Sequence, residues 1–418
     1  MPMKFTIPTQ ELNAGISTVI KAMGNRTTLS ILEGIYVEAT WNTLTLRCTD
    51  LSLQIETTLP ASVTEEGACV MPGRLFSELA RRLPDVDTSV YTEGNTVYIE
   101  SGRAKTNVQS ESPEDFHCMP PVKEEYTVTL EQGKLRSMIR QCIFASAQDE
   151  SKPILTGVLL EMRPEELCMV ALDGYRLALR REPILSGGED KDAVVPARSL
   201  MEMGRMLEDR ADAVKIIFSA THVMVDMGHT KITTRLLDGE FIRYKQILPD
   251  GHTTRVQVNR QELLDSIERV SLMAREGKNE PYPLLLPAGG PDPSANSEIG
   301  SSTEELGIHL TGSPLEIAFN SRYFTDVLKV LEDDSVILDM NNNISPCVVS
   351  PVQGQQYYYL VLPVRLFTAV NRVLRGTAIA RASVSGKRWF LPAPSFTAAR
   401  PGGYGAGLFC SLAGAEGS

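Results

Sequence analysis

Apolar residues recur at helical spacing at the start of three similar stretches of this 418-residue chain. In each stretch, an apolar residue or a cysteine occupies positions i, i+4 and i+7, which lie on one face of an α-helix. The three sets are Leu12, Ile16 and Val19; Leu135, Ile139 and Cys142; and Leu263, Ile267 and Val270. Apolar and polar residues then alternate, as in residues 34–38 and 44–48, and this period of two predicts β-strands.

A second helical segment repeats along the chain at a constant interval. Arg74, Arg198 and Arg322 mark it, and each follows the previous one by 124 residues. The residues around these arginines align as well, in the segments 67–85, 191–209 and 315–333. A fixed internal period indicates that the chain is built from copies of one unit. Each copy should hold two helices among several strands, so the predicted fold class is α+β, with three repeated domains.

Breaks in this pattern set the predicted domain boundaries, at prolines 121 and 249 and after residue 366. The domains would span residues 1–122, 123–250 and 251–366. Residues 287–302, rich in proline, glycine and serine, predict a long loop inside the third domain. Residues 367–418 do not fit the repeat: they carry six basic residues and one acid, which predicts a flexible C-terminal extension.

The composition is that of an ordinary globular protein, with 42% hydrophobic and 22% charged residues. No apolar run is long enough to cross a membrane, and the N-terminal residues lack the apolar stretch of a signal peptide, so we expect a cytoplasmic protein with no membrane partner. The seven cysteines and five histidines are dispersed without metal-ligand spacing. We therefore expect buried thiols and no metal, cofactor or disulfide framework.

The positions of the charged residues are more informative than the net charge. A net charge of −11 argues against a protein that binds nucleic acid over its whole surface. On a helical wheel, however, the second helix of every copy carries two cations seven residues apart, opposite its apolar stripe. These pairs are Arg74 and Arg81, Arg198 and Arg205, and Arg322 and Lys329. Solvation alone would accept acids at these positions, so three cationic pairs favour a polyanion, held through its phosphates without sequence recognition.

Several segments of the chain carry a resemblance to a known family. They include TLSILEGIYVEA, ALDGYRLAL, VVPARSL, TRLLDGEFIRYKQILP, EIAFNSRYF and YYLVLPVRL. In their order and spacing, residues 3–366 resemble the bacterial DNA polymerase III beta subunit, the sliding clamp. The resemblance implies a non-catalytic homodimer that closes head to tail into a ring, with helices lining the hole and antiparallel sheets outside. Its partners would be double-stranded DNA, the replicative polymerase, the clamp loader, and mismatch-repair and other clamp-binding proteins.

The resemblance also assigns three sets of site residues. The residues facing DNA would be Lys21, Arg26, Arg74, Arg81, Arg82, Arg136, Arg140, Arg198, Arg205, Arg322 and Lys329. An apolar peptide pocket between the second and third domains, with one cation at its rim, would be formed by Leu155, Leu172, Gly174, Tyr175, Arg176, Leu177, Ile242, Ile247, Leu360, Leu362, Pro363 and Val364. The dimer interface would include Arg103, Lys105, Leu272, Met273, Glu298 and Glu304. The extension 367–418 has no counterpart in the family and would emerge beside the pocket.

Two other functions stay open at this point. An enzyme has little support, because no phosphate-binding loop, nucleophile elbow or metal-ligand cluster occurs in the sequence. Asp50 and Asp173 recur in two copies, but each follows a predicted strand and precedes a turn, which favours a carboxylate that caps a loop. The second alternative is a repeat scaffold that binds proteins or peptides and never contacts DNA. Retention on circular DNA but not on linear DNA would separate a clamp from a scaffold.

Overall fold

The computed structural model describes most of the chain up to Val364. The described residues are 2–24, 29–149, 151–275, 283–286, 294–296, 301–304 and 306–364. The predictions for Arg26, for Glu298 and for residues 367–418 lie outside these ranges, as does the side chain of Met273.

The first domain begins with strand β1 (Lys4–Pro8), which leads directly into helix α1 (Thr9–Val19). The elements that follow are β2 (Gly34–Thr40), β3 (Thr43–Thr49), β4 (Leu53–Pro60), β5 (Ser62–Glu65), β6 (Gly67–Pro72), α2 (Gly73–Ala80), β7 (Asp87–Glu93), β8 (Thr96–Ser101) and β9 (Ala104–Gln109).

The second domain has the same order of elements. They are β10 (Tyr126–Glu131), α3 (Gln132–Cys142), β11 (Gly157–Met162), β12 (Glu166–Leu172), β13 (Arg176–Pro183), β14 (Ser186–Gly187), β15 (Lys191–Pro196), α4 (Ala197–Met206), β16 (Ala213–Phe218), β17 (His222–Asp226) and β18 (Thr230–Arg235).

The third domain repeats this order once more. Its elements are β19 (Thr254–Asn259), α5 (Arg260–Arg275), β20 (Pro283–Leu286), β21 (Ser294–Asn296), β22 (Ser301–Thr303), β23 (Ile308–Gly312), β24 (Ile317–Asn320), α6 (Ser321–Val330), β25 (Ser335–Met340), β26 (Cys347–Pro351) and β27 (Tyr357–Val361). The prediction of three α+β repeats is confirmed. The predicted long loop over residues 287–302 is wrong in part, because it contains β21 and the start of β22; its proline and glycine content hid these short strands.

Each of the six α-helices in the described residues begins at the residue that follows a strand, and it buries the apolar face that its sequence predicts. In the first domain, Leu12, Ile16 and Val19 of α1 are buried, as is Phe76 of α2. The two helices of this domain lie side by side, and α1 packs on strands β3 and β4. The second and third domains repeat this arrangement with their own helix pairs. Helical periodicity therefore gives the side of each helix that contacts the sheets.

The sheets do not stop at the domain boundaries. A nine-stranded sheet joins the first two domains in the order β14-β10-β16-β17-β18-β4-β3-β2-β6, so the last strand of the second domain pairs with β4 of the first. A second nine-stranded sheet joins the second and third domains, in the order β15-β11-β12-β13-β27-β26-β25-β19-β23. Two smaller sheets, β5-β1-β7-β8-β9 and β22-β21-β20-β24, belong to the first and third domains alone.

The buried apolar side chains of the described residues form one large cluster and two smaller ones. The large cluster runs through all three domains, from Met3 to Val361. One smaller cluster, of Ile31, Leu32, Val70 and Phe116, belongs to the first domain. The other lies at the junction of the second and third domains, and we call it the junction cluster. Its buried members are Leu155, Leu159, Cys168, Val170, Leu172, Leu177, Leu179, Val194, Phe241, Tyr244 and Leu360.

Candidate nucleic-acid interface and docking groove

The three arginines that mark the repeat hold the same place in their helices. Arg74, Arg198 and Arg322 are each the second residue of α2, α4 and α6, and all three are exposed. None of these helices has an acidic residue in its first turn. The N-terminal end of a helix carries partial positive charge, so a cation there is disfavoured by roughly 0.3–1 kcal/mol. Helix stability therefore does not explain the three arginines.

The second cation of each pair is exposed as the helical wheel predicts. Arg205 and Lys329 lie in the last turns of α4 and α6, and Arg81 immediately follows α2. Arg82 is exposed beside Arg81. Opposite these cations, the positions predicted to be apolar contacts are buried or half-buried in all three helices.

The cations differ in whether a carboxylate already neutralises them. Arg198 lies 3.4 Å from Asp50 of the first domain, Arg205 lies 2.6 Å from Glu202, and Lys329 lies 2.7 Å from Glu268. In contrast, Arg74, Arg81, Arg82 and Arg322 form no ion pair with any carboxylate of the described residues. The first domain thus presents three exposed arginines that have no ion-pair partner in the part of the chain that the structure describes.

The cations predicted near the first helix of each domain are less uniform. Lys21 is exposed in a single 3-10 turn just after α1, and Arg136 is exposed on α3. Arg140 also lies on α3, but its guanidinium donates to the carbonyl of Val330 at 3.2 Å and pairs with Glu332. Arg140 therefore joins the second domain to the third, in addition to any contact with an external anion.

Most apolar residues predicted for the peptide pocket meet in the junction cluster. Leu155, Leu172, Leu177 and Leu360 are buried members of it. Ile242, Ile247 and Leu362 are half-buried and pack against it from the surface. They come from three parts of the chain: the second domain, the connection between the second and third domains, and β27 with the segment that follows it. The structure brings them together as predicted, and the half-buried members give the cluster an accessible edge.

A capped loop supplies another part of this edge. The carboxylate of Asp173 accepts hydrogen bonds from the backbone N–H groups of Tyr175 at 2.9 Å and Arg176 at 3.0 Å. Gly174 has φ +96°, a left-handed conformation that favours glycine. The loop leaves Tyr175 60% exposed. Its carbonyl accepts from the N–H of Leu362 at 2.8 Å, which fixes the half-buried segment of Pro363 and Val364 beside it.

Asp50 caps the matching loop of the first domain in the same way. Its carboxylate accepts from the N–H groups of Ser52 at 3.0 Å and Leu53 at 2.8 Å. The interpretation of Asp50 and Asp173 as loop-capping carboxylates is confirmed. In this loop Leu51, with φ +70°, stands where the second domain has glycine.

Arg176, which the sequence predicted as the cation at the rim of the pocket, is buried and paired. Its guanidinium is 9% exposed and donates to Asp173 at 2.9 Å, to Asp326 at 2.6 Å and to the carbonyl of Phe144 at 2.7 Å. It also lies 4.6 Å from the ring centre of Tyr323. Because Asp326 is 150 residues away in the chain, no local pattern could show this pairing. Arg176 therefore joins the second domain to the third.

Residues 238–250, which we call the junction linker, connect the second and third domains and carry Ile242 and Ile247. Within the linker, Tyr244 is 2% exposed, and its hydroxyl donates to the carboxylate of Glu161 at 2.7 Å. Burial, together with this neighbouring carboxylate, raises the pKa of Tyr244, so the hydroxyl keeps its proton. Sequence reasoning missed Glu161, because 83 residues separate it from Tyr244.

The predicted dimer-interface residues occupy two separate edges. Arg103 and Lys105 are exposed at and before β9, and Lys105 pairs with Glu100 at 2.9 Å. In the third domain Leu272 is 52% exposed. Glu304 accepts two hydrogen bonds from Arg269, at 2.8 and 2.7 Å, and this pairing lowers the pKa of Glu304. Glu304 is thus partly neutralised within the chain.

Other chemistry finds little support in the described part of the chain. There, no three His, Cys, Asp or Glu side chains come together in a way that could hold a metal ion. Five of the six described cysteines are buried thiols as predicted; Cys118 is exposed, since it lies in the connection between the first and second domains. No helix among the described residues is both long and apolar enough to span a membrane.

Comparisons with known proteins agree over nearly the whole described chain. Family models for the N-terminal, central and C-terminal domains of the DNA polymerase III beta subunit match residues 3–120, 129–242 and 245–365. The beta sliding clamp of Staphylococcus aureus is 30% identical over 376 residues, covering 87% of this chain and 100% of the relative.

Solved structures give the same result. The DNA polymerase sliding clamp of Bacillus subtilis is 30% identical, with a TM-score of 0.84, and covers 88% of this chain and 100% of its own. A sliding clamp from Pseudomonas aeruginosa, bound to griselimycin, is 27% identical, with a TM-score of 0.82 and the same coverage. The chain therefore belongs to the DNA polymerase III beta subunit family, the sliding clamps, which act as non-catalytic processivity factors.

Proposed function

We propose that two copies of this chain close head to tail into a cytoplasmic ring that encircles duplex DNA and tethers the replicative polymerase to it. The observation that carries the proposal is the sheet that passes across each domain boundary. At both boundaries the last strand of one domain pairs antiparallel with the strand that follows the capped loop in the domain before it, β18 with β4 and β27 with β13.

This pattern of strand pairing leaves one open sheet edge in the first domain and one in the third. In the first domain the last strand, β9, lies at the edge of its sheet, and in the third domain β22 occupies the position of β4 and β13 at the edge of its own. An open strand edge is a template for pairing with another chain. Pairing β9 of one copy with β22 of another would continue the pattern, and such a head-to-tail contact closes a ring when the rotation per copy is right.

The residues predicted for this contact have suitable chemistry. Arg103 and Lys105 would bring positive charge from the β9 edge. The β22 edge would offer Glu298 and Glu304, with Leu272 and Met273 as apolar contacts. The in-chain pair between Arg269 and Glu304 leaves less negative charge for this purpose than the sequence suggests.

The cationic helix faces would line the hole. Exposed arginine and lysine side chains suit phosphates and read no bases, so binding should be independent of sequence and sensitive to salt. Enclosure would keep the ring on DNA while each contact stays weak, which allows sliding. The unpaired Arg74, Arg81 and Arg82 are the strongest candidates, since they need not first leave a carboxylate.

The accessible edge of the junction cluster is proposed as the docking groove for partner proteins. Its half-buried apolar side chains and the exposed Tyr175 can receive a few apolar anchors of a short peptide. The replicative polymerase, the clamp loader, and mismatch-repair and other clamp-binding proteins would compete for it. Griselimycin, which the Pseudomonas aeruginosa clamp binds, is proposed to bind here as well.

Retention on DNA of different topology tests the ring. The protein, loaded by its cognate clamp loader onto a nicked circular plasmid, should elute with the DNA in gel filtration. Cutting the plasmid once should release it, because a ring slides off a free end. Equal retention on both forms, or retention on neither, would contradict the ring and favour a scaffold that does not encircle DNA.

The mass in solution provides a second, independent test of the dimer. A ring of two chains should have twice the 45.9 kDa mass of one chain. The measurement with and without residues 367–418 tells whether the extension contributes to association. A monomer at every concentration that supports loading would refute head-to-tail closure.

A further inference from the structure

The junction linker forms one wall of the proposed groove, although little of it is bonded to the domains. Backbone bonding to the second domain reaches Leu237, whose N–H donates to the carbonyl of Val194 at 2.8 Å. Beyond that residue, the backbone hydrogen bonds described for the linker all join linker residues to one another. The positions of Ile242 and Ile247 must therefore come from side-chain contacts.

Those contacts converge on one carboxylate of the second domain. Glu161 on β11 is 7% exposed. Its two oxygens contact different linker residues: Oε2 accepts a hydrogen bond from the hydroxyl of Tyr244 at 2.7 Å, and Oε1 forms an ion pair with Nζ of Lys245 at 3.0 Å. Arg163 lies 3.5 Å from the same Oε1. Among the described residues, Glu161 is the only carboxylate outside residues 235–250 that the linker contacts.

A buried carboxylate needs such partners, because an ionised group removed from water is costly unless it is hydrogen-bonded and paired. Glu161 obtains two of its three polar partners from the linker. Glu161 and the linker therefore hold each other in place. The linker residues that contact Glu161, Tyr244 and Lys245, lie between Ile242 and Ile247 in sequence.

We infer that Glu161 and Tyr244 are positioning residues of the docking groove: their hydrogen bond fixes the junction linker so that Ile242 and Ile247 form a preformed wall. This inference rests on the proposed docking function of the junction cluster. A wall ordered in advance favours affinity, because binding then does not have to order it. Neither residue needs to touch the ligand.

The substitution Tyr244→Phe tests the inference because it removes one hydroxyl and keeps the buried ring. The free protein should show faster amide hydrogen exchange in residues 238–248, with no change in β11. Griselimycin should bind about ten- to a hundredfold more weakly than to the wild type, as expected for the loss of one hydrogen bond to a charged group. The DNA-retention assay should be unaffected.

Tyr357→Phe is the matched control. Tyr357 is also fully buried at the junction of the same two domains, but its hydroxyl donates to the carbonyl of Gln141 at 3.0 Å, away from the linker. This variant loses a buried hydrogen bond of similar kind, and it should leave griselimycin affinity and linker exchange unchanged. A third variant, Glu161→Gln, keeps an oxygen for Tyr244 and should retain more affinity than Glu161→Ala.

The outcomes separate this inference from the proposed groove. If griselimycin binds the wild type but Tyr244→Phe and Tyr357→Phe weaken it equally, general loosening of the junction explains the loss and the inference is wrong. If Tyr244→Phe changes neither linker exchange nor affinity, the inference is also wrong, although the groove stands. If the wild type does not bind griselimycin at all, the groove as proposed fails and the inference fails with it.

Discussion

Replacing Arg176 by methionine should destabilise the protein far more than the same change at Arg198. Both arginines pair with the capping carboxylate of a repeated loop: Arg176 with Asp173 and Arg198 with Asp50. They differ in surroundings, because Arg176 is 9% exposed and has further partners in Asp326 and the carbonyl of Phe144, whereas Arg198 is 60% exposed. Methionine keeps an apolar stem of similar length, so mainly the charge and its bonds are lost.

The magnitude follows from burial. Removing one partner of a buried ion pair costs about 3–5 kcal/mol, since the charge left behind has no compensation. The carboxylates that Arg176 leaves behind are 15% and 27% exposed, and water relieves them in part. We therefore expect a loss of about 3 kcal/mol in the free energy of unfolding. A pair at 3.4 Å whose arginine is 60% exposed contributes about 0–1 kcal/mol, which is the expected loss for Arg198→Met.

Urea unfolding of the two variants beside the wild type measures this difference. The midpoint should move strongly for Arg176→Met and little for Arg198→Met, with unchanged slopes. A loss below about 1 kcal/mol for Arg176→Met would refute the reasoning, because the three bonds would then contribute no more than a surface pair. Equal losses at the two sites would refute it as well.

Three further predictions concern other regions. Arg74→Ala with Arg81→Ala should lower the salt dependence of duplex binding, by about one unit of log–log slope per lost phosphate contact, and more than the equivalent pair on α4, whose arginines are already neutralised; equal effects in a binding titration would contradict this. Leu51→Gly should raise the free energy of unfolding by about 0.5 kcal/mol, because Leu51 is exposed at φ +70°; a lower urea midpoint would argue otherwise. Among the described thiols, Cys118 should react first with iodoacetamide at pH 8, because it is exposed whereas the others are buried and burial raises the pKa of Cys69 to about 12; early modification at Cys69, detected by mass spectrometry, would contradict this.

Local periodicity predicted the features that depend on neighbours in sequence. The buried and exposed faces of α2, α4 and α6 follow from spacings of three, four and seven residues, and the capped loops follow from an aspartate between a strand and a turn. The repeat amplified both signals, because a pattern seen three times is easier to separate from chance than one seen once.

Contacts between distant residues could not be read in this way. Arg176 looked like a groove cation because its local context says nothing of Asp326, and Glu161 had no visible role because its linker partners lie more than 80 residues away. In the same way, β21 and β22 were hidden by proline, glycine and serine, since their strand character comes from pairing partners and not from their own residues.

Sharing sheets across its domain junctions gives this chain a mechanical property. Five residue pairs link β18 to β4, and five link β27 to β13, so neighbouring domains cannot swing freely on their connecting segments. Each chain would then act as a stiff arc, and strain on the assembled ring would concentrate at its two seams. In the proposed ring, β22 would offer the three described residues Ser301–Thr303 for pairing at each seam, which would make the seam the natural place for the ring to open when DNA enters.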